Sequence, residues 1–138
     1  DGVPMGAVVA KKEIADVFKP GDHGSTFGGS CLAVAACAAT LSALVRGDYA
    51  EHAAKVGAYM ETKLAALPHV IEVRGRGMML GCDFDDAAGD AHDIVARALA
   101  AGAVINATGA HTLRFLPPLV CEEADVDSLI EILSGVLA

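Results

Sequence analysis

No run of basic residues and no interleaving of basic with aromatic residues occurs anywhere in the chain, and 18 Asp and Glu outnumber 10 Lys and Arg. A phosphodiester backbone would be repelled overall, so nucleic acid is not an expected partner. Metal-ligand spacing is missing as well. The four cysteines, Cys31, Cys37, Cys82 and Cys121, form no CxxC pair, and His23, His52, His69, His92 and His111 show no HxxxH spacing. Reduced, mostly buried thiols and no metal site are expected. No Met opens the chain, and neither a signal-peptide nor a transit-peptide pattern is present. A cytoplasmic location is the default expectation. Asp1-Gly2-Val3-Pro4 reads as the middle of a loop, so the 138 residues read as a piece of something longer.

A run apolar enough to cross a bilayer is also missing. Residues 24–45 carry no charge over a spanning length, but glycines, Ser25, Thr26 and Ser30 crowd the first third and Ala dominates the rest. Alanine partitions weakly into lipid, so a buried helix is expected there and no membrane contact. What the chain has in quantity is apolar residues, 54% of the total, with a mean hydropathy of +0.46. A single domain of this length has little room to hide them. Part of that surface is expected to face another domain or subunit.

The pattern along the chain predicts a short strand at 7–10, a short helix at 11–18 and a turn at Lys19-Pro20-Gly21-Asp22. Ser30 is placed to cap an apolar helix running to about Val45. Asp48, with Glu51 three residues on, looks like a capping-box start for a second helix whose face is Tyr49, Ala53, Val56, Met60, Leu64 and Leu67. Residues 70–74 and 78–84 read as strands about a Gly75-Arg76-Gly77 bend, as a hairpin or as one bent strand. A helix at 90–101 opens on Asp90, strands at 103–107 and 112–116 flank Thr108-Gly109, and Pro117-Pro118 ends the second of them. The last helix, about 123–137, carries Val126, Leu129, Ile130, Leu133 and Leu137 on one side. This order suggests an α+β layer.

Three segments could carry chemistry. Gly24-Ser25-Thr26-Phe27-Gly28-Gly29 sets hydroxyls and unhindered amides before a helix N-terminus, an arrangement that can hold a phosphate; a tight structural turn explains the same glycines. Arg114 sits in the apolar strand Leu113-Arg114-Phe115-Leu116, opposite in face to Leu113 and Phe115. Its planar fork suits a bidentate carboxylate, from a substrate or from the protein itself, and a solvated arginine is the plain alternative. Arg74 and Arg76 flank Gly75, where a close backbone crossing or bulge is the favoured reading over an anion site.

The segments Gly-Val-Pro-Met-Gly-Ala (2–7), His-Gly-Ser-Thr-Phe-Gly-Gly (23–29), Val-Arg-Gly-Arg-Gly-Met-Met-Leu-Gly (73–81) and Leu-Arg-Phe-Leu-Pro-Pro-Leu (113–119) occur in this order. Together they resemble the class III pyridoxal-phosphate (PLP) aminotransferases, most like the acetylornithine type, nearly end to end. The resemblance implies an α+β C-terminal small domain of a fold-type-I enzyme, its helices packed on a small, mostly antiparallel sheet. It sets residues 1–29 as a remnant of the large PLP-binding domain and residues 30–138 as the small domain with its leading helix.

For function, the resemblance implies a homodimeric enzyme of arginine biosynthesis. It would move the terminal amino group of N-acetylornithine to 2-oxoglutarate by ping-pong transamination, with PLP as electron sink. Ser25 and, principally, Thr26 match the loop that reaches across the dimer to the cofactor phosphate, and Arg114 matches the arginine that holds the α-carboxylate of each substrate. The PLP lysine is expected just before Asp1, and Lys11, Lys12, Lys19, Lys55 and Lys63 match no catalytic position, so the 138 residues are not expected to transaminate alone. One departure is Gly28-Gly29-Ser30-Cys31, where the family usually reads Gly-Gly-Asn-Pro; it leaves the helix cap intact and the donor less defined. Ornithine, succinylornithine and other ω-amino-acid enzymes share these motifs. A non-catalytic partner-binding or dimerisation module, motivated by the high hydropathy, is the alternative from another class.

Overall fold

The computed structural model describes residues 2–138. They form two compact units that divide between Gly47 and Asp48. By backbone contacts, the helix after the glycine-rich loop therefore groups with the residues before it.

In the first unit, α1 (Lys12–Ala15) is a single turn and α2 (Cys31–Arg46) a 16-residue helix. Ser30 caps α2 as its position implies, its Oγ accepting from the Ala33 amide at 3.4 Å. The strand expected at 7–10 does not form. No strand lies among the described residues of this unit to supply a ladder, and β propensity without one fixes nothing.

The second unit holds α3 (Tyr49–Ala65), β1 (Val70–Arg76), β2 (Met79–Phe84), α4 (Ala91–Ala100), β3 (Asn106–Gly109), β4 (Thr112–Phe115) and α5 (Glu123–Leu137). The strands make one antiparallel sheet in the order β1-β2-β4-β3. All three helices pack against it or one another. Alternation along β2 and β4 decides which residues they cover: Leu80, Cys82, Phe84, Leu113 and Phe115 are buried, whereas Gly81, Asp83, Thr112 and Arg114 are not. Val56, Met60 and Leu64 of α3, Ile94 of α4 and Val126 and Leu133 of α5 complete a continuous core. Each fully buried side chain of this size contributes about 1.5–3 kcal/mol.

Three local expectations change. Asp48 does precede α3, but its backbone is left-handed, at φ 50°, and its side chain makes no cap hydrogen bond. The capping box forms at α5 instead, where Glu122 and Asp125 each take the other's backbone N–H, the Glu122 amide donating to Asp125 Oδ2 at 2.9 Å. The β3–β4 turn falls at Ala110-His111 rather than Thr108-Gly109, and β3 starts at Asn106, because the register places Asn106 opposite Arg114.

The Gly75-Arg76-Gly77 bend becomes the end of β1 and the start of its hairpin to β2, and its glycines are structural as expected. A Cβ on Gly75 would lie 2.0 Å from the Met79 carbonyl oxygen. On α3, a Cβ on Gly57 would lie 2.1 Å from the Gly77 carbonyl oxygen, so the helix and the hairpin tip meet backbone to backbone.

Candidate functional site

The face of the sheet turned away from the helices carries polar groups in cross-strand rows. One row reads Arg74, Gly81, Arg114, Asn106 across β1, β2, β4 and β3. The same pairing aligns Asp83 with Thr112, and Asp83 reaches back to Arg74. Two arginines thus lie two strands apart on one face, roughly 10 Å by ordinary strand spacing. Their surroundings differ.

Arg74 is satisfied within the protein. Its Nη1 and Nη2 grip the Asp83 carboxylate, the Nη2–Oδ1 distance being 3.1 Å, and Nη1 also reaches Glu72 at 3.3 Å. The Arg74 guanidinium beside Asp83, helped by the Thr112 hydroxyl at 2.7 Å, holds that carboxyl below the usual carboxylate range. The structural reading of Arg74 agrees with this geometry.

Arg114 has no ion pair among the described residues. Its single hydrogen bond runs from Nε to Asn106 Oδ1 at 3.2 Å, a neutral acceptor that leaves the charge uncompensated. Both residues are exposed, and both border a cavity of about 620 Å³ whose lining includes Phe115, Leu116, Pro117 and Leu129. Asp125 also lines it, but one carboxylate oxygen is already held by the Glu122 amide. An exposed guanidinium whose one acceptor among the described residues is neutral keeps its two-pronged Nη face available to a carboxylate. Sequence reasoning singled out Arg114 from strand alternation. It missed Asn106, whose relevance depends on the β3–β4 register.

Ser25 and Thr26 belong to the first unit and sit together in one exposed turn, closed by the Gly28 amide donating to the Ser25 carbonyl at 3.3 Å. Gly29 adopts φ +70° and leads into Ser30 and α2. A Cβ at Gly24 or Gly29 would meet nothing within 4 Å, whereas one at Gly28 would lie 3.0 Å from Ser25 Cβ, so the loop is open at its two ends and close-packed against Ser25 at Gly28. Hydroxyls in a glycine-rich turn and the positive end of a four-turn helix are a donor set that fits a phosphate. The structure thus assigns Ser25 and Thr26 to one unit and Arg114 to the other.

Among the described residues no group of His, Cys, Asp and Glu could hold a metal ion, and no single helix is long and apolar enough to cross a membrane. All four cysteines are free thiols. Cys82 and Cys121 are buried, Cys37 partly so, and Cys31 is exposed, which departs from the expectation for that residue.

The family model for class-III aminotransferases matches residues 1–137. Acetylornithine aminotransferase of Caldanaerobacter subterraneus subsp. tengcongensis is 44% identical over 141 residues, covering 99% of this chain and 35% of that protein. Among solved structures, acetylornithine aminotransferase from Elizabethkingia anophelis superposes with a TM-score of 0.79 at 28% identity, over 94% of this chain and 34% of its own. Ornithine aminotransferase from Toxoplasma gondii, with partial occupancy of PLP at its active site, gives 0.80 at 32% identity, over 91% and 30%. The chain spans about a third of the length of the curated relatives it matches, and its α+β arrangement is a part of these larger aminotransferase chains. A motif order read from the sequence, a family model that spans it and a fold shared with solved relatives all converge: the chain belongs to the class-III aminotransferase family.

Proposed function

We propose that residues 1–138 are the C-terminal region of a homodimeric, cytoplasmic PLP-dependent aminotransferase that transfers the terminal amino group of N-acetylornithine to 2-oxoglutarate, a step of arginine biosynthesis. In this reading residues 1–29 belong to the large PLP-binding domain and residues 30–138 form the small domain with its leading helix. The lysine that carries the cofactor lies outside these residues. When bound, PLP supplies the electron sink for the transfer. Ser25 and Thr26 donate their hydroxyls to its phosphate in the other subunit, and the α2 N-terminus favours that charge. Arg114 takes the α-carboxylate of the amino donor and then that of 2-oxoglutarate. A clamp at one end of the substrate fixes the distance from its carboxylate to the reacting nitrogen, which is how a binding residue raises kcat/KM.

The observation that carries the reading is Arg114, exposed beside an apolar cavity and without an ion pair among the described residues. Its test is Arg114→Ala in the full-length, PLP-loaded enzyme. Loss of a charge-assisted pair should lower kcat/KM for N-acetylornithine, and for 2-oxoglutarate in the second half-reaction, by roughly 10- to 100-fold. The same amine without its α-carboxylate should lose far less. Equal losses for both amines would remove Arg114 from the carboxylate site.

A further inference from the structure

Arg114 and Arg74 occupy the same cross-strand row with Gly81 between them, yet one is neutralised and the other is not. The partner residues make the difference. Arg74 meets the Asp83 carboxylate through both Nη atoms. Arg114 meets the amide oxygen of Asn106 through Nε alone. Asn106 is placed for this by register, directly opposite Arg114 on the edge strand β3, and both residues border the same cavity.

From this we infer that Asn106 is a positioning residue for the Arg114 clamp, an inference that rests on the carboxylate-binding reading of Arg114. A guanidinium has five N–H donors in a fixed plane, and holding Nε restrains the directions that plane can take. The two Nη groups, which make the bidentate fork with a carboxylate, are left free. The chemistry of the holder matters as much as its place. An aspartate at 106 would orient Arg114 equally well but would cancel its charge, as Asp83 does for Arg74; an asparagine orients it and leaves the charge for the ligand. The class of ligand selected is therefore an anion with a planar, two-oxygen head. The amide of Asn106 is also uncharged at every working pH, so the holder adds no titration of its own.

The experiment uses the full-length, PLP-loaded enzyme with Asn106→Leu and Asn106→Asp, each alone and combined with Arg114→Ala. Two quantities are measured: the ratio of kcat/KM for N-acetylornithine to that for the same amine without its α-carboxylate, and the dissociation constant of glutarate, a dicarboxylate with no group to transfer. Removing one oriented hydrogen bond should lower the ratio and weaken glutarate by about 2- to 10-fold in Asn106→Leu. Asn106→Asp should exceed that loss despite keeping the acceptor, because it supplies an internal counter-charge. Neither substitution should matter further once Arg114 is alanine.

If Arg114→Ala discriminates between the amines and Asn106→Leu does not, the positioning role is overturned while the clamp stands. Equal loss by Asn106→Leu on both amines reduces Asn106 to a structural residue and overturns it too. If Asn106→Asp binds glutarate as well as the parent does, the charge argument fails. If Arg114→Ala fails to discriminate, the clamp reading falls and this inference with it.

Discussion

Residues 2–47 and residues 48–138 are both rich in apolar side chains, and they use them in opposite ways. Every buried hydrophobic residue lies in the second region, from Val56 to Leu137; the first buries none. The contrast is sharpest between two helices of nearly equal length. On α3, Val56, Met60 and Leu64 recur at helical spacing, and the opposite side carries Glu51, Lys55 and Glu61, so one packed face satisfies the helix. On α2 the only charge is Arg46, in its last turn. Leu32 and Val45 remain 72% and 80% exposed, and α2 has no buried residue. A helix that is apolar all round needs cover on all sides. Together with Val8, Val9 and Phe27, also exposed, it leaves the first region with the kind of surface that other protein segments cover. One region carries its own core; the other buries none of its apolar side chains.

The largest predicted effect pits Phe84 against Phe27. Phe84 is 2% exposed within the core, and Phe84→Ala should cost about 3–5 kcal/mol in urea unfolding of the 138-residue chain. Phe27 is 87% exposed, and Phe27→Ala should stay within about 0.5 kcal/mol. Comparable losses at the two positions would mean that the first region has a core of its own.

The same contrast explains what was legible in the sequence. The faces of α3, β2 and β4 could be read because their apolar residues have somewhere to go, and period then predicts burial. The strand expected at 7–10 could not be tested against a partner by local propensity alone, and in the structure it has none. Asp48 has the right side chain for a cap, yet its left-handed backbone aims it elsewhere, a choice set by the chain's entry into α3. At the site, the hydroxyl-glycine loop and the isolated arginine were visible as residue types. Asn106 was not, since a neutral side chain in a strand gains meaning only from the residue opposite. No local pattern encodes that register; it follows from how Leu113 and Ala107 share the core face.

A smaller effect compares glycines. Gly57 has no room for a methyl group, which would collide with the Gly77 carbonyl oxygen, so Gly57→Ala should cost about 1–3 kcal/mol as α3 and the hairpin are pushed apart. At Gly24 an added Cβ meets nothing within 4 Å, and Gly24→Ala should be neutral to within about 0.5 kcal/mol. If Gly24→Ala were the more damaging, the glycine-rich loop would be a packed element rather than an open one.

The finest distinction lies between two thiols. Cys82 is fully buried on the core face of β2; burial, and secondarily the Asp83 charge, pushes its thiol up to about 12, while nearby Arg74 pulls the other way. A group whose folded-state pKa lies above its unfolded value near 9 contributes stability that is fully present below pH 9 and is lost as pH rises toward 12. The chain should therefore lose stability steadily over that alkaline interval, and Cys82→Ala, though less stable at neutral pH, should flatten this part of the profile. Cys31 is exposed in the first region, and Cys31→Ala should leave the slope contributed by Cys82 in place. A thiol reagent read against time at neutral pH reports the same difference without mutation. Cys31 should react in the native chain, and Cys82 only as fast as the second region opens. If Cys82 reacts at the rate of Cys31, the core around β2 is not closed and the contrast between the two regions is lost.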